Sequence, residues 1–252
     1  MGSWLGVDWA GGCWIVVRYG ENPLVTTEPS MLNVWHEHVD NESVHAVVVD
    51  IPIGLPDTGS RVCDRKAQDR LGNRRSTVFS VPRREVVETD DYDTARELNN
   101  NSLGSQSWWL FPRIQEVDVF LQRNPLALER TYESHPELCY HELSAEQLDS
   151  KDTKSGIDSR LSIIEDMTDD VPGFYDKVET IVRDREDGAE WHNRISKGRR
   201  DDVLDAAILA VTGAQLDLQQ RSLMGSYPSL PEETNAGDDT RLSITPEIIY
   251  PK

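Results

Sequence analysis

The sequence predicts an α/β protein with a mixed sheet flanked by helices. In this sheet, antiparallel hairpin strands are followed by parallel strands. The domain is also expected to carry a mainly helical insertion. Two short apolar runs separated by Gly11 and Gly12 are typical of a hairpin. The unbroken apolar run at residues 46–49 is typical of a strand buried on both faces of a parallel sheet. Further along the chain, apolar residues recur at the three-and-four spacing of helices.

The strands are expected mainly in the first part of the chain. Apolar runs predict strands at residues 4–10, 13–17, around Val25 and at 46–49, and a weaker pattern covers 128–134. His135 and Pro136 are expected to end this last strand.

Helices are expected between and after these strands. Pro29 and Ser30 begin one that continues to His38. The remaining helical patterns cover residues 61–71, 93–101, 113–123, 155–166, 172–186 and 201–219.

The domain organisation follows from this order. Residues 1–221 are expected to form a single domain with an insertion at about 57–128. Residues 222–252 turn to Pro, Ser, Gly, Asp and Glu, which predicts a flexible segment and tail. Within that tail, residues 244–251 are a candidate for a last docked strand.

Composition limits the function classes. The 252 residues carry a net charge of -19 and only six lysines, which is expected of a protein kept soluble in concentrated salt; an ordinary acidic protein is the alternative. The three cysteines form no CxxC pair, so neither a zinc site nor a disulfide framework is indicated. No apolar run approaches the ~20 residues of a membrane span, so we expect a cytoplasmic protein without a membrane partner.

Four aspartates are candidates for chemistry. Asp8 interrupts the first strand, Asp50 ends the central strand, and Asp202 and Asp205 share one face of the last helix. Ligands collect at the carboxyl ends of strands in open α/β sheets, and acids that meet there need cations to stay ionised. Their oxygens suit Mg²⁺ or Mn²⁺, and two such ions about 4 Å apart hydrolyse phosphodiesters. The alternative is that Asp202, with its neighbour Asp201, only complements the helix dipole.

Basic residues are concentrated in one segment. Residues 61–84 hold eight Arg and Lys side chains against Asp64 and Asp69 alone. Because Arg forks match phosphate oxygens, the segment predicts contacts with a nucleic-acid backbone. The candidate phosphate ligands are Arg61, Arg65, Arg74, Arg75, Arg83 and Arg84. The alternative is that these arginines pair with the protein's own carboxylates. A smaller basic patch precedes the last helix at Arg194, Lys197, Arg199 and Arg200.

Five segments together resemble the domain-of-unknown-function family 429, regarded as predicted nucleases of RNase H-like fold. They are residues 6–11 (GVDWAG), 50–56 (DIPIGLP), the basic segment 61–83, 134–137 (SHPE) and 202–206 (DVLDA), and the match runs from about residue 4 to the end of the last helix. The last segment is also similar to the C-terminal helix of Holliday-junction resolvases. The resemblance implies an RNase H-like, resolvase-type sheet and the metal ligands Asp8, Asp50, Asp202 and Asp205. Many nucleases of this superfamily have Glu at the central strand, where this chain has Asp50, and Glu133 on a later strand is the candidate substitute.

These observations predict a metal-dependent nuclease that cleaves DNA or RNA with two Mg²⁺ or Mn²⁺ ions. One alternative is a nucleic-acid-binding module of the same fold without catalysis. A second is an actin-like ATP-binding protein, for which residues 8–12 give a partial phosphate-loop match. The chain has no second glycine-rich phosphate loop, which disfavours this alternative.

Overall fold

The computed structural model describes residues 2–39, 43–144, 148–184, 195, 199–217, 224–227 and 238–251. The chain divides into two compact units. The first comprises Met1–Asp50, Arg130–Gly225 and Tyr250–Lys252, and the second comprises Ile51–Glu129 and Ser226–Ile249. The insertion predicted at 57–128 falls inside the second unit.

A five-stranded mixed sheet is the centre of the first unit. Its strands are β1 (Ser3–Trp9), β2 (Trp14–Gly20), β3 (Leu24–Glu28), β4 (Val44–Val49) and β5 (Thr131–Glu133). They lie in the order β3-β2-β1-β4-β5. Strand β2 is antiparallel to its neighbours β1 and β3, whereas β4 and β5 continue parallel to β1. The predicted fold class, antiparallel hairpin strands followed by parallel strands and flanked by helices, is therefore confirmed.

Ten helices occur in the described part of the chain. They are α1 (Met31–His38), α2 (Val62–Leu71), α3 (Arg84–Val87), α4 (Tyr92–Leu98), α5 (Ser105–Arg123), α6 (Pro125–Arg130), α7 (Pro136–Leu143), α8 (Lys154–Met167), α9 (Phe174–Arg183) and α10 (Asp201–Asp217). A 3₁₀ helix, Gly72–Thr77, follows α2. Ser30 caps α1 as expected, since its side chain accepts a hydrogen bond from the Asn33 N–H.

Two elements near β5 differ from the sequence prediction. The strand predicted at 128–134 is confined to Thr131–Glu133, because Pro125–Arg130 form a helix that ends directly before it. The sequence pattern does not predict helix α7, because His135 and Pro136 indicate only the end of a strand. Pro136 is in fact the first residue of α7, a position where the missing N–H costs no helical hydrogen bond.

Helix α10 is buried almost throughout. Apolar spacing predicted one buried face, but every residue from 202 to 214 is buried. The physical reason is that α10 contacts β1, β2 and β4 on one side and α7, α8 and α9 on others. Tyr140 of α7 fixes it further, because the Tyr140 hydroxyl donates a 2.8 Å hydrogen bond to the Leu204 carbonyl.

The second unit is mainly helical and has a buried ion-pair centre. The Arg84 guanidinium donates to Asp118 Oδ2 and to Asp239 Oδ2, each at 2.6 Å. Asp239 Oδ2 also accepts the Leu55 N–H at 2.8 Å, so one buried carboxylate joins three segments of this unit. Helix α5 is longer than predicted and includes Pro112.

The C-terminal tail contains regular structure. Strands β6 (Met224–Tyr227) and β7 (Ile248–Pro251) form a two-stranded sheet, so the candidate strand at 244–251 is observed in its second half. Of the predicted flexible segment, residues 238–247 are described and include a β-bridge between Asp239 and Ile244, whereas residues 222–223, 228–237 and 252 lie outside the described residues. Among the helices that the structure describes, none is long and apolar enough to cross a membrane.

Candidate metal centre

The carboxyl ends of three parallel strands bring Asp8, Asp50 and Glu133 to one edge of the sheet. Val7 of β1 is level with Val49 of β4, which in turn is level with Glu133, the last residue of β5. The Asp50 N–H donates to the Val7 carbonyl at 3.0 Å and so continues the ladder one residue past β4. Strand register therefore places Asp8 and Asp50, which follow the paired residues Val7 and Val49, side by side, with Glu133 one residue earlier on β5.

Close packing between β1 and α10 brings the helical aspartates to the same edge. Alternate residues of β1 face the helix, and a Cβ at Gly6 would lie 1.8 Å from the Ala206 carbonyl oxygen. Gly213, near the other end of α10, lies against Trp4. The helix therefore runs antiparallel to β1, and its first turns lie beside Asp8.

Asp8, Asp202 and Asp205 form a buried triad. One carboxylate oxygen from each residue lies within 4.8 Å of the other two, and the residues are only 6%, 5% and 4% exposed. Asp8 Oδ1 accepts the Trp9 N–H at 2.7 Å. Asp202 Oδ2 and Asp205 Oδ1 are buried and accept no hydrogen bond from the described residues. Buried carboxylate oxygens in this state are costly unless a cation completes their environment.

Lys151, a residue that sequence reasoning missed, supplies one cation. Its Nζ lies 2.6 Å from Asp205 Oδ2, 3.0 Å from Asp201 Oδ2 and 3.9 Å from Asp202 Oδ1. Burial opposes its charge, but Asp205 and Asp201 outweigh burial and hold the Lys151 pKa well above its ordinary value. The only sequence signal was that lysine is scarce in this acidic chain.

Burial and the mutual repulsion of the acids raise the pKa values of the cluster. Burial, followed by the charge of Asp205, raises the pKa of Asp50 to about 8. Burial and the charge of Asp8 raise the pKa of Asp202 to about 9. Burial likewise raises the pKa of Asp8 well above its usual range, with Asp50 and Asp205 adding to it. The Lys151 ammonium therefore does not offset the burial and repulsion that favour the protonated forms of Asp50 and Asp202.

The donor set fits a hard divalent cation. Asp8, Asp202 and Asp205 offer only oxygen ligands, and two of the three carboxylates have an oxygen without a hydrogen-bond partner in the described structure. Mg²⁺ and Mn²⁺ prefer such ligands. Asp50 is partly exposed and lies beside the triad, close enough to raise the pKa of Asp8. Asp50 is not one of the three residues whose carboxylate oxygens lie within 4.8 Å of one another. Glu133 is buried next to Asp50 and raises its pKa further.

Two of the predicted phosphate ligands are buried in ion pairs of the second unit. Arg61 is fully buried and lies 3.1 Å from Asp64 Oδ1, and Arg84 is held by Asp118 and Asp239. For these two side chains the structure favours the alternative, pairing with the protein's own carboxylates.

The other four predicted phosphate ligands lie nearer the surface. Arg65 and Arg75 are exposed, and Arg74 and Arg83 are partly exposed. Arg65 donates to the Ser60 hydroxyl at 2.9 Å. These four remain candidates for phosphate contacts.

The smaller basic patch is described only in part. Arg194 and Lys197 lie outside the described residues, whereas Arg200 is buried. The half-exposed Arg199 guanidinium lies 3.8 Å from Asp202 Oδ2 and also lies next to Gly11 in the β1–β2 turn. Arg199 is thus a basic side chain at the border of the acidic cluster.

The fold and the site define an α/β protein with a buried aspartate cluster at the carboxyl edge of its sheet. Residues 6–233 match the family described as Protein of unknown function (DUF429), and the chain belongs to this family. Neither a curated protein nor a solved structure matches the chain. The predicted family membership is confirmed, and the nuclease activity remains a prediction.

Proposed function

We propose that the protein is a divalent-metal-dependent nuclease that hydrolyses phosphodiester bonds of DNA or RNA. The single observation that carries this proposal is the convergence of Asp8 with the distant Asp202 and Asp205 into a buried cluster, in which two carboxylate oxygens accept no hydrogen bond from the described residues. A non-catalytic binding module of the same fold would not need to maintain so many buried carboxyl groups in one place.

The residues of the cluster have distinct expected roles. Asp8, Asp202 and Asp205 hold the ion, with Asp50 beside them and Glu133 behind Asp50. A bound Mg²⁺ or Mn²⁺ would lower the pKa of a coordinated water and neutralise charge on a phosphate oxygen.

Basic side chains support a polyanionic substrate. Arg199 borders the cluster and is half exposed, so its guanidinium is available to a phosphate group. Arg65, Arg74, Arg75 and Arg83 extend the set of candidate phosphate contacts in the second unit. The resemblance to a family regarded as predicted nucleases agrees with this assignment.

A cleavage assay tests the proposal. Purified protein is incubated with single-stranded and double-stranded DNA, four-way DNA junctions and RNA, with Mn²⁺, with Mg²⁺ or with a chelator. We expect cleavage of at least one substrate that requires the metal, and a loss of about 100-fold or more in Asp205→Asn, because a metal ligand is removed. Asp166→Asn, which changes an exposed acid of α8 in the same unit, is the control and should cleave normally.

Two results would contradict the proposal in different ways. Wild-type protein that binds Mn²⁺ and nucleic acid but cleaves none of the substrates would favour the binding module. Undiminished cleavage by Asp205→Asn would remove the aspartate cluster from the reaction.

A further inference from the structure

Lys151 approaches the cluster from one side only. Its ammonium contacts Asp205 through Oδ2 and Asp202 through Oδ1. The oxygens without a hydrogen-bond partner are the opposite members of the same carboxylates, Asp205 Oδ1 and Asp202 Oδ2. Each carboxylate therefore directs one oxygen toward the lysine and leaves the other without a hydrogen bond, although the half-exposed Arg199 guanidinium lies 3.8 Å from Asp202 Oδ2.

A centre with two cations requires carboxylates whose two oxygens can face different cations, as the oxygens of Asp202 and Asp205 can here. A carboxylate that bridges two ions gives one oxygen to each, and in two-metal sites the ions lie about 4 Å apart. Here the 2.6 Å contact between Lys151 Nζ and Asp205 Oδ2 already uses one of the two places around Asp205. The other position, at Asp205 Oδ1, is left for a metal ion that Asp8 and Asp202 would share.

The loop that carries Lys151 is held in place by contacts that do not involve Asp8, Asp202 or Asp205. The fully buried Arg160 donates from Nη1 to the Asp149 carbonyl at 3.0 Å. Gly156 lies so close to the Ser150 carbonyl oxygen that a Cβ on it would be 2.0 Å away. Lys151 thus directly follows two residues whose backbone packs against α8, and its ammonium is preorganised at the cluster.

We propose that the Lys151 ammonium is the resident second cation of this centre, so that the cluster binds one divalent ion and not the two that the sequence predicted. The inference rests on the proposed function in one respect, which is that the centre binds a divalent ion at all. It does not depend on which substrate is cleaved.

The number of Mn²⁺ ions bound per chain tests this inference. Calorimetric titration of metal-free wild-type protein should give one ion. Lys151→Met keeps an unbranched side chain but removes the charge, and it should give two. Lys151→Arg, which retains a cation, should again give one. Lys154→Met is the matched control, because Lys154 is an exposed lysine at the start of α8, and it should give one.

Electron paramagnetic resonance of the same samples gives a second readout. Two Mn²⁺ ions a few ångströms apart couple magnetically, so the coupled signal is expected only in Lys151→Met. Circular dichroism establishes that each variant is folded before titration. If Lys151→Met does not fold, the wild type and Lys151→Arg still test the inference. Two Mn²⁺ ions bound per chain of either protein would overturn it.

The remaining outcomes separate this inference from the proposed function. Two ions on the wild type would overturn the role of Lys151 and leave a metal-dependent nuclease intact. One ion on folded Lys151→Met would also overturn it, since the lysine would then not exclude the second ion. No ion on the wild type would overturn the inference and the metal centre together.

Discussion

At the scale of single residues, the chemistry of the centre depends on how each aspartate is compensated. Removing a carboxylate from water costs free energy. The Lys151 ammonium offsets this cost most strongly for the carboxylate that it contacts most closely. Asp205 has the 2.6 Å contact with Lys151, whereas the nearest Lys151 contact of Asp202 is 3.9 Å. This difference agrees with the pKa of about 9 for Asp202.

The raised pKa values predict the pH dependence of the metal-free protein. The folded state keeps protons on Asp50 and Asp202 up to pKa values of about 8 and about 9, while the unfolded chain releases them near pH ~4. Stability should therefore fall as pH rises from about 4 to about 9, because the folded state holds these protons more tightly than the unfolded chain does. Thermal melts across this range, with a chelator present, measure the effect.

Variants isolate the contribution of the cluster. Asp202→Asn cannot ionise at this position, so its melting temperature should fall less with pH than that of the wild type. Asp166→Asn should follow the wild type, because Asp166 is exposed. Identical pH profiles for Asp202→Asn and the wild type would contradict the assignment of the raised pKa to Asp202.

At the scale of elements, the contact between β1 and α10 sets the position of Asp8 on the strand relative to Asp202 and Asp205 on the helix. Gly6→Ala should destabilise the protein by about 3 kcal/mol and weaken Mn²⁺ binding, because the added methyl would lie 1.8 Å from the Ala206 carbonyl oxygen and would displace α10. Denaturant unfolding and calorimetry measure the two effects.

A second glycine in the same region gives a matched control. Gly12→Ala should change stability by less than about 0.5 kcal/mol, because no heavy atom lies within 4 Å of the added methyl. Equal stability of Gly6→Ala and Gly12→Ala would contradict the packing of α10 on β1.

Most elements could be predicted from local patterns, and the exceptions have local causes. The hairpin glycines, the apolar run of β4 and the Ser30 cap are short-range signals, and each appears in the structure. Helix α7 was missed because Pro136 ends a strand and begins a helix at once. The full burial of α10 was missed because helices packed on its outer side leave no periodic trace in its own sequence.

The centre could be predicted only in part. The rule that the carboxyl ends of parallel strands meet at one edge of a sheet predicts that Asp8, Asp50 and Glu133 lie near one another. Helical spacing predicts that Asp202 and Asp205 share one face of the last helix. Lys151 could not be found in this way, because it lies in a loop whose position depends on Arg160 and on the tight contact at Gly156. Tertiary contacts of this kind have no spacing rule in the sequence.

At the scale of the whole molecule, the net charge of -19 should repel nucleic acid at low salt, so binding depends on local basic groups. Replacing Arg74 and Arg75 by Ala should weaken binding to a polyanion and flatten its salt dependence by about two charges. The matched control replaces Arg96 and Arg123, two exposed arginines of the same unit outside the basic segment. Fluorescence anisotropy at several salt concentrations gives the slopes, and equal slopes in both double variants would contradict a role for the segment.

The central claim is that aspartates far apart in sequence form one metal centre. The most direct measurement is calorimetric titration of Mn²⁺ into the wild type, Asp8→Asn and Asp166→Asn in high-salt buffer. The account predicts binding by the wild type and Asp166→Asn, and loss of binding in Asp8→Asn, although Asp8 is on a strand and Asp202 and Asp205 are on a helix. Undiminished binding by folded Asp8→Asn, or no binding by the wild type, would contradict it.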